Sequence, residues 1–131
     1  MIVDSSALLA VILGERDGDR FAAAMVDATS VRMSAANWLE TAIVVDSRKS
    51  PAATVRFEDL TAALKIEMLP VTIDLAYRAR RAYQEFGRGN HAAKLNFGDC
   101  FAYALAKTRG ESLLFKGNDF ARTDVEPALT G

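Results

Sequence analysis

Four acidic side chains, Asp4, Glu40, Asp99 and Asp119, each stand beside apolar residues and not in a solvated run of charge. Asp4 ends the apolar opening Met1-Ile2-Val3, and Glu40 closes Ala36-Asn37-Trp38-Leu39-Glu40. Asp99 follows Asn96-Phe97-Gly98, and Asp119 follows the strand-like run ending at Phe115. Carboxylates near a core repel one another and are costly to desolvate, so a converging set needs a cation or shifted pKa values. Mg²⁺ or Mn²⁺ suits such hard oxygen ligands. The chemistry then open is phosphodiester hydrolysis by metal-activated water, with neutralisation of charge developing on the leaving oxygen. Singly, each acid reads as a cap or a surface charge, so only the set points to a metal.

The acids can meet only if an α/β fold carries them to one edge of a sheet. Met1 to Asp4 reads as a buried strand, and Ser5 or Ser6 caps a helix from Ala7 to Leu13 that Gly14 closes. Ser6 has two readings of equal weight, the cap and a hydroxyl that orients Asp4 or a metal-bound water. Asp17 to Asp27 repeats the helical pattern with Phe21, Ala24 and Met25 on one side, and Val31 to Ser34 reads as a strand. Trp38, Ala42 and Val45 recur on a helix that carries Glu40 in its early turns; Trp38, Phe21 and Met25 belong to core or interface. Pro51 opens a helix with Val55, Leu60 and Leu64 as its apolar positions, ahead of a strand-like Ile66 to Val71 whose Pro70 suits an edge. Thr72 to Phe86 is amphipathic, with Leu75, Ala79, Ala82 and Tyr83 inside and Arg78, Arg80 and Arg81 outside. After a Gly-rich basic loop, Gly87 to His91, a helix runs from Asp99 to Thr108, ended by Gly110, and Ser112 to Phe115 is a further strand. The alternation predicts one α/β domain over residues 1–131, a mostly parallel central sheet with helices on both faces. Sites in such sheets form beyond the carboxyl ends of the strands, where all four acids can face.

The 131 residues, 50% hydrophobic and 25% charged, fit a single domain with an ordinary core. A net charge of -1 and a pI near 5.8 carry no bulk basic signal, so a nucleic-acid partner rests on local groups. Arg88, His91 and Lys94 precede Asp99, and Lys116 follows the last strand; these are the candidate contacts to RNA phosphates, against the plainer reading of a solvated basic loop. For Arg78, Arg80 and Arg81 a solvated face or an acidic partner is preferred. His91, the sole histidine, cannot run acid and base steps alone. Cys100 excludes an internal disulfide and reads as a packed thiol. No basic leader with a long apolar core and no apolar run of membrane-spanning length is present, so the expected location is cytoplasmic, without a membrane partner.

The segments Ile2-Val3-Asp4-Ser5-Ser6-Ala7-Leu8, then Glu40, then Leu95-Asn96-Phe97-Gly98-Asp99-Cys100-Phe101-Ala102-Tyr103-Ala104, then Leu113-Leu114-Phe115-Lys116-Gly117-Asn118-Asp119-Phe120 resemble a PIN-domain ribonuclease, specifically a VapC-type toxin of a toxin–antitoxin system. The first motif alone is weak, whereas the last two together are specific. The resemblance implies a PIN-like fold and a Mg²⁺- or Mn²⁺-dependent endoribonuclease that cleaves cellular RNA, arrests growth and is neutralised by a VapB-type antitoxin. It also implies a homodimer. The four acids of the family match Asp4, Glu40, Asp99 and Asp119, and the small hydroxyl position matches Ser6. Many relatives place a further acid and a threonine in the last motif; this chain has Phe115 and Gly117 there, with Asn118 as the nearest polar neighbour. Asp124 is read as a strand or capping residue. Apolar positions on the first two helices are expected to receive an antitoxin helix in a groove. The alternative is a non-hydrolytic Mg²⁺-binding α/β signalling or interaction module. It needs a phosphoacceptor aspartate and a lysine at the ion, which this spacing serves poorly. A metal-dependent phosphatase ranks lower, because Asp4-Ser5-Ser6 stands where paired aspartates would flank one residue.

Overall fold

Short apolar strands and longer helices alternate along the chain, whose residues 1–130 are described by the computed structural model. β1 (Ile2–Val3) leads into α1 (Ser5–Ile12) and α2 (Gly18–Asp27), and β2 (Arg32–Ser34) leads into α3 (Ala35–Ser47) and α4 (Pro51–Ala63). β3 (Glu67–Leu69) leads into α5 (Ile73–Phe86) and α6 (Phe97–Arg109), β4 (Leu113–Leu114) follows, and a 3-10 turn occupies Phe120–Arg122. All pairings are parallel, in the order β3-β2-β1-β4, because every crossover is long enough to be helical.

Side chains of successive strand residues point to opposite faces, and the two faces carry separate cores. Ile2 and Leu113 pack with Leu75, Ala79, Ala102 and Leu105 of α5 and α6. Val3, Met33 and Leu114 pack with Leu8, Phe21, Val45 and Phe57 of α1 to α4. A strand buried on both sides must be apolar throughout, which is why the sequence offers continuous apolar pairs there and no alternation. Phe21 and Met25 are core residues, and Trp38 lies half-buried with its ring 5.7 Å from that of Phe57.

Several boundaries differ from those expected. Tyr83 is 44% exposed and not inside, since the buried stripe of α5 is Leu75, Ala79, Ala82 and Phe86, and a residue one step past Ala82 is turned about 100° away. On α4, Phe57 is buried and Val55 is 54% exposed. β3 is limited to Glu67–Leu69, with Pro70 just beyond it, because proline cannot donate to a ladder. α6 begins at Phe97 and ends in Gly110, whose φ of 62° is the left-handed conformation that glycine adopts freely. No helix among the described residues is long and apolar enough to cross a membrane.

Candidate active site

Asp4 leaves β1 with an extended backbone and caps α1 itself: its Oδ2 accepts from Ser6 N at 3.0 Å. Neither Ser5 nor Ser6 is the cap, because the helix begins one residue after the strand and the group at that junction is the aspartate. Both serines instead tie the site to other segments. Ser5 Oγ donates to Glu40 Oε1 at 2.5 Å, and Ser6 Oγ accepts from Lys116 N at 3.0 Å, joining the start of α1 to α3 and to the loop after β4. Asp4 is 1% exposed, and its Oδ1 has no hydrogen-bond partner. Burial pushes its carboxyl up to about 6, against the lowering effect of the Ser6 bonds and helped by the charge of Glu40.

Glu40 rides on the second turn of α3, a helix capped by Ser34. Its carboxylate lies against the bare Cα of Gly98, where a Cβ would stand 2.2 Å from Oε2. Asp99 is the third residue of α6 in a reciprocal capping box: its N–H donates to Asn96 Oδ1 at 2.9 Å, and its Oδ2 accepts from Asn96 N at 3.0 Å. Burial pushes the Asp99 carboxyl up to about 7; the Asn96 bond lowers it, and the charges of Asp4, Asp119 and Glu40 raise it further. Asp119 is exposed at the start of the 3-10 turn and makes no side-chain capping bond there.

All four acids line one cavity of about 320 Å³, together with Ser5, Ser6, Asn96 and Lys116. They are spread around its wall. Glu40 is drawn to Ser5 and Asp99 to Asn96, so among the described residues no three ligand groups already stand close enough to hold an ion. The orphaned Asp4 Oδ1 is nonetheless a buried anionic oxygen without a donor, which is costly unless a cation meets it. An all-oxygen set of this kind fits Mg²⁺ or Mn²⁺.

The remaining predicted residues divide. Lys116 lines the cavity, with its Nζ paired to Glu15 Oε2 at 2.9 Å. Asn118 is exposed beside it and does not line the cavity. Arg88, His91 and Lys94 do not line it either: they belong to a loop folded on its own contacts. The His91 ring stands edge-on to Phe86 at 5.1 Å and its Nδ1 accepts from Ala93 N at 2.9 Å; Lys94 sits at φ 56°. Asp124 is neither strand nor cap. It accepts from the Tyr103 hydroxyl and pairs with Lys107 at 3.2 Å, tying the chain end to α6. Burial pushes the Cys100 thiol up to about 11, so it is a neutral packed group. Ser5, Gly98 and Asn37 are site-building residues that the spacing of acids did not single out, whereas the Asn96-x-x-Asp99 pattern does carry the signature of a capping box.

The raised carboxyls fix the sign of a pH effect. Asp4 and Asp99 bind protons more tightly folded than unfolded, so the stability they contribute is full below their ordinary value of 3.8 and is lost as pH rises through about 6 and about 7. Burial acts to raise the Glu111 carboxyl, but bonds from the Met1 amino group and Arg109 hold it at about 2, so its own contribution is lost only at more acid pH. Metal-free protein is therefore expected to melt at least about 4 °C lower at pH 7.5 than at pH 5. A divalent cation such as Mn²⁺, if these acids hold it, is expected to offset that loss at pH 7.5, since ligands must be deprotonated to bind it. Calorimetric melts with and without chelator check this, and a melting temperature that rises with pH in chelator contradicts it.

Two solved structures share the fold. The Mycobacterium tuberculosis VapC20, a sarcin-ricin loop cleaving toxin, superposes with a TM-score of 0.75 at 19% identity, over 95% of each chain. A toxin-antitoxin complex from Klebsiella pneumoniae matches with a TM-score of 0.69 at 19% identity, over 94% of this chain and 92% of that one. The PIN domain family model matches residues 1–126, and the chain belongs to that family. Within it, the relatives are VapC ribonucleases. Ribonuclease VapC28 of Mycobacterium tuberculosis is 47% identical over 130 residues, 98% of each chain, and Ribonuclease VapC30 is 44% identical over 126 residues, 95% of each. Ribonuclease VapC of Mycolicibacterium smegmatis is 42% identical over 125 residues, 95% of this chain and 97% of that one.

Proposed function

We propose that the chain is a Mg²⁺- or Mn²⁺-dependent endoribonuclease toxin that cleaves cellular RNA in the cytoplasm and is neutralised by a VapB-type antitoxin. The observation that carries this is a cavity lined by four carboxylates, one of which, Asp4, keeps a buried Oδ1 without a hydrogen-bond partner. Asp4, whose Oδ2 accepts from Ser6 N, and Asp99, whose Oδ2 accepts from Asn96 N, would hold the ion. Glu40 and Asp119, which line the same cavity from α3 and from the turn after β4, would complete the set. When bound, the ion supplies Lewis acidity, which generates a nucleophile from water and neutralises charge on the leaving oxygen. Lys116 meets a phosphate of the RNA at the rim of the cavity, exchanging its partner Glu15 for it. Support for the ribonuclease reading comes also from the names of the relatives.

The partners follow the exposed apolar surface. The apolar residues of α1 are buried or partly buried, and α2 exposes Val26, so the first two helices offer an antitoxin less than expected. Phe97 of α6 is 81% exposed at an apolar cavity of about 390 Å³ that Ala76, Tyr83 and Phe101 also line, and Ile73 and Tyr77 of the neighbouring α5 are 78% and 62% exposed. Grouped exposure of this kind supports association into a homodimer.

The test is incubation of the purified protein with a total small-RNA pool, with Mn²⁺ or with chelator, beside Asp99→Asn. Discrete fragments should appear only with metal and only with the unaltered protein. Intact RNA in every lane, with Mn²⁺ bound to the protein, would move the non-hydrolytic binding module ahead.

A further inference from the structure

We infer that Asn37 is a positioning residue of the acid site: its amide fixes the first turn of α6 against α3 and so sets where Glu40 meets Asp99. Asn37 lies one helical turn before Glu40 on α3 and is fully buried. Its Nδ2 donates to Gly98 O at 2.9 Å, across 61 residues of chain, and its Oδ1 accepts from Ser34 Oγ at 2.9 Å. The same Ser34 hydroxyl accepts from Asn37 N at 3.0 Å. With the hydroxyl proton directed at Oδ1, the amide has one satisfied orientation, the one that presents its NH₂ to Gly98.

Gly98 is held from two sides. Asn37 grips its carbonyl, the Glu40 carboxylate fills the space a Cβ would take, and the next residue is Asp99. One buried hydrogen bond thus governs the spacing of two acids carried by different helices. Thr41, equally buried on α3, bonds only to Asn37 O at 2.9 Å within its own helix and reaches neither acid. Groups that orient ligands without touching the ion typically change metal affinity by about 10- to 100-fold when removed. The inference rests on the reading that the four acids hold a divalent cation.

Calorimetric titration of Mn²⁺ into the full chain tests it, using Asn37→Leu, Asn37→Ser, Thr41→Val and Asp4→Asn. Both Asn37 variants should keep a folded circular-dichroism spectrum and bind Mn²⁺ at least about 10-fold more weakly. Thr41→Val should melt at a lower temperature yet bind Mn²⁺ within about twofold of the unaltered protein, which separates positioning from general support of the helix. If Asn37→Leu does not fold, Asn37→Ser, smaller and with room for water, is read by the same criterion. A folded Asn37→Ser protein that binds Mn²⁺ as the unaltered chain does, while Asp4→Asn does not bind it, overturns the positioning role alone. Unchanged binding by Asp4→Asn would overturn the acid-site reading itself.

Discussion

Asp4→Asn should reduce RNA cleavage by about 10³-fold and, at pH 8 without metal, raise the melting temperature. The activity loss follows from removing the one buried side-chain oxygen, among the described residues, that has no hydrogen-bond partner and that the proposed function assigns to a cation. A few kcal/mol of transition-state stabilisation corresponds to that factor. The stability gain follows from the same burial. A fully buried carboxylate whose pKa stands at about 6 is mostly ionised at pH 8, at a cost that an uncharged amide of the same shape escapes. The Asn side-chain oxygen can still accept from Ser6 N, so the cap of α1 survives. The gain is expected to be about 4 °C at pH 8 and to vanish at pH 5, where Asp4 is largely protonated in the folded protein. Melts at both pH values, beside fragment yields with Mn²⁺, check the pair of effects. A variant that destabilises equally at both pH values would show Asp4 to be an ordinary structural cap.

Gly98→Ala should cost about 100-fold in cleavage with little or no loss of stability. Helix propensity alone favours the change by about 0.5–1 kcal/mol, since alanine in a helix loses less conformational entropy than glycine. Against this stands the new Cβ, 2.2 Å from Glu40 Oε2 and 2.7 Å from its Cδ. The clashing atoms are the far end of a flexible side chain, so Glu40 can swing away from Ser5 while the backbone stays in place. The fold is then preserved and the proposed ligand set is not, and displacing a ligand would cost at least as much as displacing a supporting group. Glu40→Ala and the double variant complete a cycle: if Gly98 acts through Glu40, the double variant should be no worse than Glu40→Ala. Full activity in Gly98→Ala would mean that the seat of Glu40 on α6 is irrelevant to the reaction.

The βα alternation, the apolar pairs that must lie in a parallel sheet and the four acids just after strands or in the early turns of helices are legible in the sequence. These are local signals, because an apolar dipeptide buried on both faces and a carboxylate at the end of a strand are visible without knowing their neighbours. Even so, local pattern misassigned Tyr83, where one step along a helix turns a side chain by about 100°, and Ser5, whose hydroxyl went to Glu40 and not to a cap. Tertiary structure alone decided that Arg88, His91 and Lys94 stay outside the acid cavity, that Gly98 must lack a Cβ, and that Asn37 grips its carbonyl. Each of these depends on how α3 and α6 approach across the edge of the sheet. Periodicity fixes which face of a helix is buried, but the distance between a carboxylate on one helix and a backbone on another is set by side chains interlocking in a close-packed core.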